Sequence, residues 1–182
     1  VTRNRQEMLQ QVLPAIDAQT HPIDEIILVD NDSSDGTEAM VRESYPQITY
    51  IHLDENLGPA GGFAVGIKAA YDRGHDWMWL CEDDALPVPA ALEHCLRVAE
   101  ELKGQRIAMV SPARFGQGKT FGFGALWQGR QFPIPQNSQS APWYDVDLSG
   151  FIGALLARDA VQKAGYPRTD LFMEWEEAEY SL

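Results

Sequence analysis

Short, unbroken apolar runs that alternate with helix-patterned segments set the tightest limit on how this chain can fold. Ile26-Ile27-Leu28-Val29, Ile48-Thr49-Tyr50-Ile51-His52, Trp77-Met78-Trp79-Leu80-Cys81 and Ile107-Ala108-Met109-Val110 are each strand-length. Runs of this kind suit strands covered on both faces. Between them lie segments with helical spacing. Arg5 to about Gln19 places Met8, Val12, Leu13 and Ile16 on one stripe, with Pro14 expected to kink or break it. Thr37–Ser44 reads as a second helix. A third follows the glycines at 58–62 and carries Phe63, Ile67 and Ala70 to about Arg73, and a fourth runs from Pro89 to about Lys103. Val1-Thr2 reads as the last part of a strand. This alternation predicts an α/β fold with a largely parallel central sheet.

The pattern changes after residue 112. Residues 113–145 are rich in Gly, Gln, Pro and aromatic residues and read as loops, with room for hairpin strands, near a binding face. Apolar character resumes at Val146–Leu148 and Gly150–Leu156, Arg158–Ala164 reads as a short helix, and Asp170–Leu182 as the start of an acidic, aromatic one. The 182 residues favour one domain, with 1–112 and 113–182 as its halves. The chain opens inside a strand and stops inside a helix, so further segments are expected at both ends.

The formal net charge of −13 argues against nucleic-acid binding, which needs a basic footprint. No apolar run approaches the roughly 20 residues needed to span a bilayer. Cys81 and Cys95 suit neither a disulfide framework nor a zinc site, and fit a reduced, cytosolic compartment.

Acidic residues cluster at two strand ends, where ligands bind in open α/β sheets. Asp30-Asn31-Asp32-Ser33-Ser34-Asp35 follows one run, and Glu82-Asp83-Asp84 follows another. Carboxylates gathered on one sheet edge need compensation, and a divalent cation shared with diphosphate oxygens supplies it for Mg²⁺ or Mn²⁺. A calcium-hand reading of the first cluster fails, because no glutamate falls at its twelfth position. Gly58, Gly61, Gly62 and Gly66 have neither dinucleotide-fingerprint nor P-loop spacing. They suit either close helix packing or approach of a backbone N–H to an anionic ligand.

Several segments, in order, resemble the family-two glycosyltransferases of the GT-A fold. They are Thr2-Arg3-Asn4-Arg5, Val29-Asp30-Asn31-Asp32-Ser33-Ser34-Asp35-Gly36-Thr37 and Asn56-Leu57-Gly58-Pro59-Ala60-Gly61-Gly62-Phe63. The tail Phe172-Met173-Glu174-Trp175-Glu176-Glu177-Ala178-Glu179 is most similar to bacterial galactofuranosyltransferases and related rhamnosyltransferases. The resemblance implies a Rossmann-like three-layer sandwich and an inverting transfer from a UDP- or dTDP-linked sugar to a glycan or polyprenyl-linked acceptor, as in cell-wall polysaccharide synthesis. It implies Thr2, Asn4, Arg5, Asp30, Asn31, Asn56, Gly61, Gly62 and Asp83 on the nucleotide side. Asp84 and Glu82 would be the ligands of Mg²⁺ or Mn²⁺, Glu177 the general base with Glu176 beside it, and Trp175 an acceptor contact. Glu82 stands where that family has aspartate, which moves the carboxylate by about one methylene and throws the metal role first onto Asp84. A cytoplasmic enzyme is implied, with peripheral association at the inner face of the plasma membrane allowed. Two other readings compete. One is a haloacid-dehalogenase-type phosphatase with Asp30 on its nucleophile strand, although His52 to Asn56 offers no Ser or Thr and Lys68 lies mid-helix. The other is an inactive domain that binds sugar nucleotides.

Overall fold

The computed structural model describes residues 1–105, 107–111, 145–173 and 176–181, together with the backbone of four strands between 114 and 133. In chain order the elements begin with α1 (Gln6–Asp17), β1 (Ile27–Asp30), α2 (Thr37–Ser44), β2 (Thr49–His52), α3 (Gly58–Arg73), β3 (Trp77–Leu80), α4 (Ala91–Glu101) and β4 (Met109–Val110). β5 (Arg114–Gly116), β6 (Lys119–Phe121), β7 (Phe123–Trp127), β8 (Arg130–Pro133), β9 (Leu148–Ser149) and β10 (Ala154–Ala157) follow. The described part closes with α5 (Arg158–Ala164), a 3-10 turn at Thr169–Leu171, and α6 (Glu176–Ser181).

β1 pairs in parallel with β2, with Asp30 opposite His52. On its other edge Asp30 forms a parallel bridge with Thr2. Beyond Thr2 lies β3. It pairs antiparallel with β10, which in turn pairs antiparallel with β4. The parallel expectation therefore describes the Thr2–β1–β2 side, and β10 is an antiparallel strand inserted between β3 and β4. Away from the bridge, a cavity of about 400 Å³ lies between the facing edges of β1 and β3. Its lining combines core residues such as Leu13, Val29, Ile67 and Met78 with the acids Glu25, Glu82 and Asp83.

Alternation along the strands sorts the helices into two layers. Leu28 packs with Leu9 and Leu13 of α1 and with Met40 and Val41 of α2. Its neighbour Val29 points the other way, to Gly66 of α3. Met78 and Leu80 join Phe63 and Ile67 of α3, Leu156 of β10 and Val161 of α5, while Trp77, Trp79 and Leu155 meet Leu92, Cys95 and Ala99 of α4. The sheet is thus sandwiched by α1, α2 and α4 on one face and by α3 and α5 on the other.

Three local expectations need correction. α1 runs unbroken through Pro14, and the Pro14 carbonyl still accepts the Ala18 N–H at 3.0 Å. α3 starts at Gly58 rather than after Gly62, because Asn56 and Asn31 side chains organise its first turn. The tail is a 3-10 turn, then a tight bend at Phe172, then α6, instead of one helix from Asp170. Within 113–145 the described backbone includes hairpin strands of the kind allowed for there: β5 pairs antiparallel with β6 and β7 with β8, while β7 also pairs with β9 beyond that stretch.

Candidate active site

The carboxyl ends of β1 and β3 share one rim, and Thr2 ties them together. The Thr2 N–H donates to Val29 O at 2.9 Å and Thr2 O accepts the Asn31 N–H at 2.8 Å, which closes the bridge to β1. The Thr2 hydroxyl then reaches across to donate to Asp83 Oδ2 at 2.8 Å. Three residues on, the Arg5 guanidinium lies 3.5 Å from Asp84 Oδ2, both half exposed. Arg3 and Asp32 form a second exposed pair at 3.9 Å. Thr2 and Arg5 thus join the end of β1 to Asp83 and Asp84.

The loop after β1 is built by side chain to backbone bonds. Asp30 is fully buried, and its Oδ1 accepts the Ser33 N–H at 3.0 Å, a turn that short acidic side chains favour. The Tyr50 hydroxyl donates to Asp30 Oδ2, and His52 Nδ1 lies 3.8 Å from the same oxygen. Burial, followed by that bond to Asp30, pushes the Tyr50 phenol above its ordinary range, so it remains a donor. Asn4, at φ 52°, donates its N–H to Ser33 Oγ at 2.8 Å and accepts the Ser34 N–H at 2.7 Å. It staples the first residues to the acidic loop.

Asn31 is equally committed inside the protein. At 2% exposure it donates to Gly58 O at 2.8 Å and accepts the Leu57 N–H at 2.8 Å. Asn56 accepts the Gly58 N–H at 3.0 Å, Phe172 O accepts the Ala60 N–H at 3.1 Å, and Leu57 O accepts the Gly61 N–H at 3.3 Å. The first turn of α3 thus spends these N–H groups on protein acceptors. Gly61 and Gly62 are buried, and a Cβ on either would fall under 3.0 Å from Leu57 or Val1 side-chain carbon respectively. In this structure those glycines serve close packing.

Glu177 reaches the same rim from α6. Its Oε1 accepts the Phe151 N–H at 3.2 Å. Phe151 is fully buried between Phe63 of α3 and Tyr180 of α6, at centroid distances of 4.9 and 5.9 Å. The 151–153 turn abuts the end of β3, where the Gly153 N–H donates to Leu80 O at 2.7 Å and Gly153 O accepts the Trp79 indole N–H at 2.9 Å. One turn therefore borders both Glu177 and the strand that leads into Glu82–Asp84. Trp175 and the Glu176 side chain lie outside the described residues. Sequence reasoning passed over Tyr50, His52 and Phe172. Only the β1–β2 register, which puts Tyr50 and His52 on the face of Asp30, could have flagged the first two.

The rim offers hard oxygen donors, the chemistry that Mg²⁺ or Mn²⁺ takes. Among the described residues no group of three or more His, Cys, Asp or Glu converges into a cage. Burial pushes the Cys81 thiol up to about 12 and the Cys95 thiol to about 11, so neither is a nucleophile at neutral pH.

Residues 1–161 match the family described as Glycosyl transferase family 2. The chain belongs to this family. Family membership replaces the phosphatase reading. Galactofuranosyltransferase GlfT1 of Mycolicibacterium smegmatis is 31% identical over 98% of this chain and 61% of the relative. GlfT1 of Mycobacterium tuberculosis is 32% identical over 98% of this chain and 60% of the relative. The chain therefore spans about three fifths of the length of these family members. S. aureus TarS 1-349 in complex with UDP superposes with a TM-score of 0.70 at 16% identity, over 99% of this chain and 52% of that one. Mannosyltransferase PcManGT from Pyrobaculum calidifontis, in complex with GDP-Man and Mn²⁺, gives 0.65 at 18% identity, over 98% and 48%. The family fold, GT-A, is the one observed here. No helix among the described residues is long and apolar enough to cross a membrane.

Proposed function

We propose that this chain is the catalytic part of an inverting glycosyltransferase that moves galactofuranose, or a closely related sugar, from a UDP- or dTDP-linked donor to a hydroxyl of a glycan or polyprenyl-linked acceptor. Residues 1–112 form the nucleotide side of a single domain and 113–182 the acceptor side. The observation that carries this reading is the Thr2 link, which puts the acidic ends of β1 and β3 on one rim. Such a rim, at the carboxyl ends of strands, is where an open α/β sheet receives a nucleotide.

On this reading Thr2, Arg5 and Asp83 border the nucleotide, while Asp30, Asn4, Asn31 and Asn56 hold the loop and the start of α3 in shape. Asp84 and Glu82 would hold Mg²⁺ or Mn²⁺, whose charge offsets that of the departing diphosphate. Arg5, beside Asp84, adds a second positive charge at that edge. Glu177 takes the proton of the acceptor hydroxyl as its oxygen attacks the anomeric carbon and the bond to the nucleoside diphosphate breaks. A single base opposite the leaving group gives inversion, by analogy with inverting hydrolysis. The Phe151 N–H fixes the Glu177 carboxylate for that task. The reaction belongs in the cytoplasm, at the inner face of the plasma membrane for a lipid-linked acceptor.

Titration calorimetry with UDP tests the reading directly. Mn²⁺ should strengthen UDP binding, and Asp84→Ala should abolish that Mn²⁺ effect. Glu177→Gln, which can still accept the Phe151 N–H, should keep UDP affinity and cut transfer from UDP-galactofuranose by about 10²–10⁴-fold. Full transfer by Glu177→Gln removes the base assignment. Absence of UDP and dTDP binding with Mn²⁺ sinks the whole reading, and binding without turnover across acceptors would favour an inactive binding domain.

A further inference from the structure

Just before α6 the chain passes through one strained residue. Phe172 has φ 57° and ψ −68°, and across it the Met173 N–H donates to Leu171 O at 2.7 Å. This is the γ-turn with positive φ at its centre, a rare and strained form for a side chain with a Cβ. Strained backbone of this kind persists where its surroundings hold it, and it concentrates at functional sites.

Two contacts hold Phe172. Its carbonyl accepts the Ala60 N–H at 3.1 Å. Its ring lies over Gly58, where a Cβ would come within 2.8 Å of ring atom Cδ2 and would also collide with the Phe172 carbonyl. Gly58 in turn takes the Asn31 amide on its own carbonyl. The ring is therefore pinned beside the nucleotide-side loop, and four residues later the chain enters the helix that bears Glu177. It is not a core side chain: Phe172 is 43% exposed and Met173 62%. An open aromatic face on a strained, doubly anchored backbone suits the apolar C–H face of a sugar ring.

We propose that Phe172 is the stacking platform for the acceptor sugar, placed by its γ-turn and by the absence of a side chain at Gly58. The proposal rests on the transferase reading above. Its test uses the intact protein with UDP-galactofuranose as donor and two acceptor probes, octyl β-galactofuranoside and octyl α-rhamnoside. Phe172→Gly removes the ring and is at ease with positive φ, so the fold is kept; Phe172→Trp restores an aromatic face. The glycine variant should raise the KM of at least one acceptor about tenfold or more, with UDP Kd within about twofold of wild type, and the tryptophan variant should recover most of the loss. A wild-type acceptor KM in Phe172→Gly overturns the proposal. So does a parallel loss of UDP affinity, which would make the residue a scaffold for the donor side, and so does failure of tryptophan to rescue. Failure of the wild-type protein to bind UDP or dTDP is the separate signature that the transferase reading itself has failed, and the platform falls with it.

Discussion

Asp30 has no exposed surface, yet donors reach it from the loop that follows β1 and from the same face of β2. A buried carboxylate is costly unless its oxygens are paired, and here Ser33 and Tyr50 supply a donor to each. Arg42 sits 5.1 Å above the Tyr50 ring and helps to hold it. Tyr50→Phe keeps the ring and deletes only the hydroxyl. It should cost about 1.5–3 kcal/mol, the range for a hydrogen bond to a charged group. For a chain of this size that is a fall in Tm of roughly 3–12 °C. An unchanged melting curve at pH 7 would show that the hydroxyl bond carries no weight. Asp30 itself could be singled out in the sequence, as an acid ending an apolar run. Tyr50 could not, because its role depends on strand register, which no local pattern of residues 48–52 encodes.

At the level of elements, one side chain starts two helices. Asp35 Oδ2 accepts the Gln6 N–H at 3.0 Å, at the first residue of α1, and Oδ1 accepts both the N–H and the hydroxyl of Thr37, at 3.2 and 2.6 Å, at the first residue of α2. Neither helix has a capping side chain in the usual position: Arg5 precedes α1 and Gly36, at φ 87°, precedes α2. Burial acts to raise the Asp35 pKa, but these hydrogen bonds outweigh it and hold the carboxyl below its ordinary value. Asp35→Ala should therefore lose two caps at once, about 1–3 kcal/mol, and loosen the loop on which Asp32 and Ser33 sit. Thermal denaturation monitored by helical circular dichroism reads the first effect; a Tm equal to wild type would rule it out. The helices were legible from spacing alone, since their apolar stripes repeat every three or four residues. Their joint cap was not, because Gln6 and Asp35 are 29 positions apart. For the same reason β10 gave no sign of its place: Ala154–Ala157 reads as an apolar run, and only the observed pairing puts it antiparallel between β3 and β4.

Across the whole molecule, the two ends of the sheet carry different sets of contacts. The carboxyl ends collect Thr2, Asp83, Asp84 and, through the 151–153 turn, Glu177, whereas the opposite ends carry a compact ionic knot around Glu25. That acid accepts the Thr49 hydroxyl at 2.6 Å and lies 2.8 Å from His75 Nε2 and 3.2 Å from Arg73 Nε. It binds the approach to β1, the first residue of β2 and the end of α3, far along the strands from the acidic rim. The Thr49 hydroxyl first, and then His75, hold the Glu25 pKa below its ordinary value of 4.5. A depressed carboxylate pKa means that the folded state favours the ionised form. Its stabilising contribution is complete above the ordinary value and disappears as pH falls through the depressed one. Thr49→Val should therefore lower Tm at pH 7 by roughly 3–6 °C, for about 1.5 kcal/mol, while leaving UDP affinity and transfer rate as they were. Melting curves taken from pH 7 down to pH 3 should show the gap between variant and wild type closing below about pH 4.5, because a protonated Glu25 no longer rewards the hydroxyl. A gap of constant size across that range would place the effect in the packing of the valine instead of in the carboxylate. A loss of UDP affinity would mean that the two ends of the sheet are coupled, contrary to the division of labour drawn from their contacts.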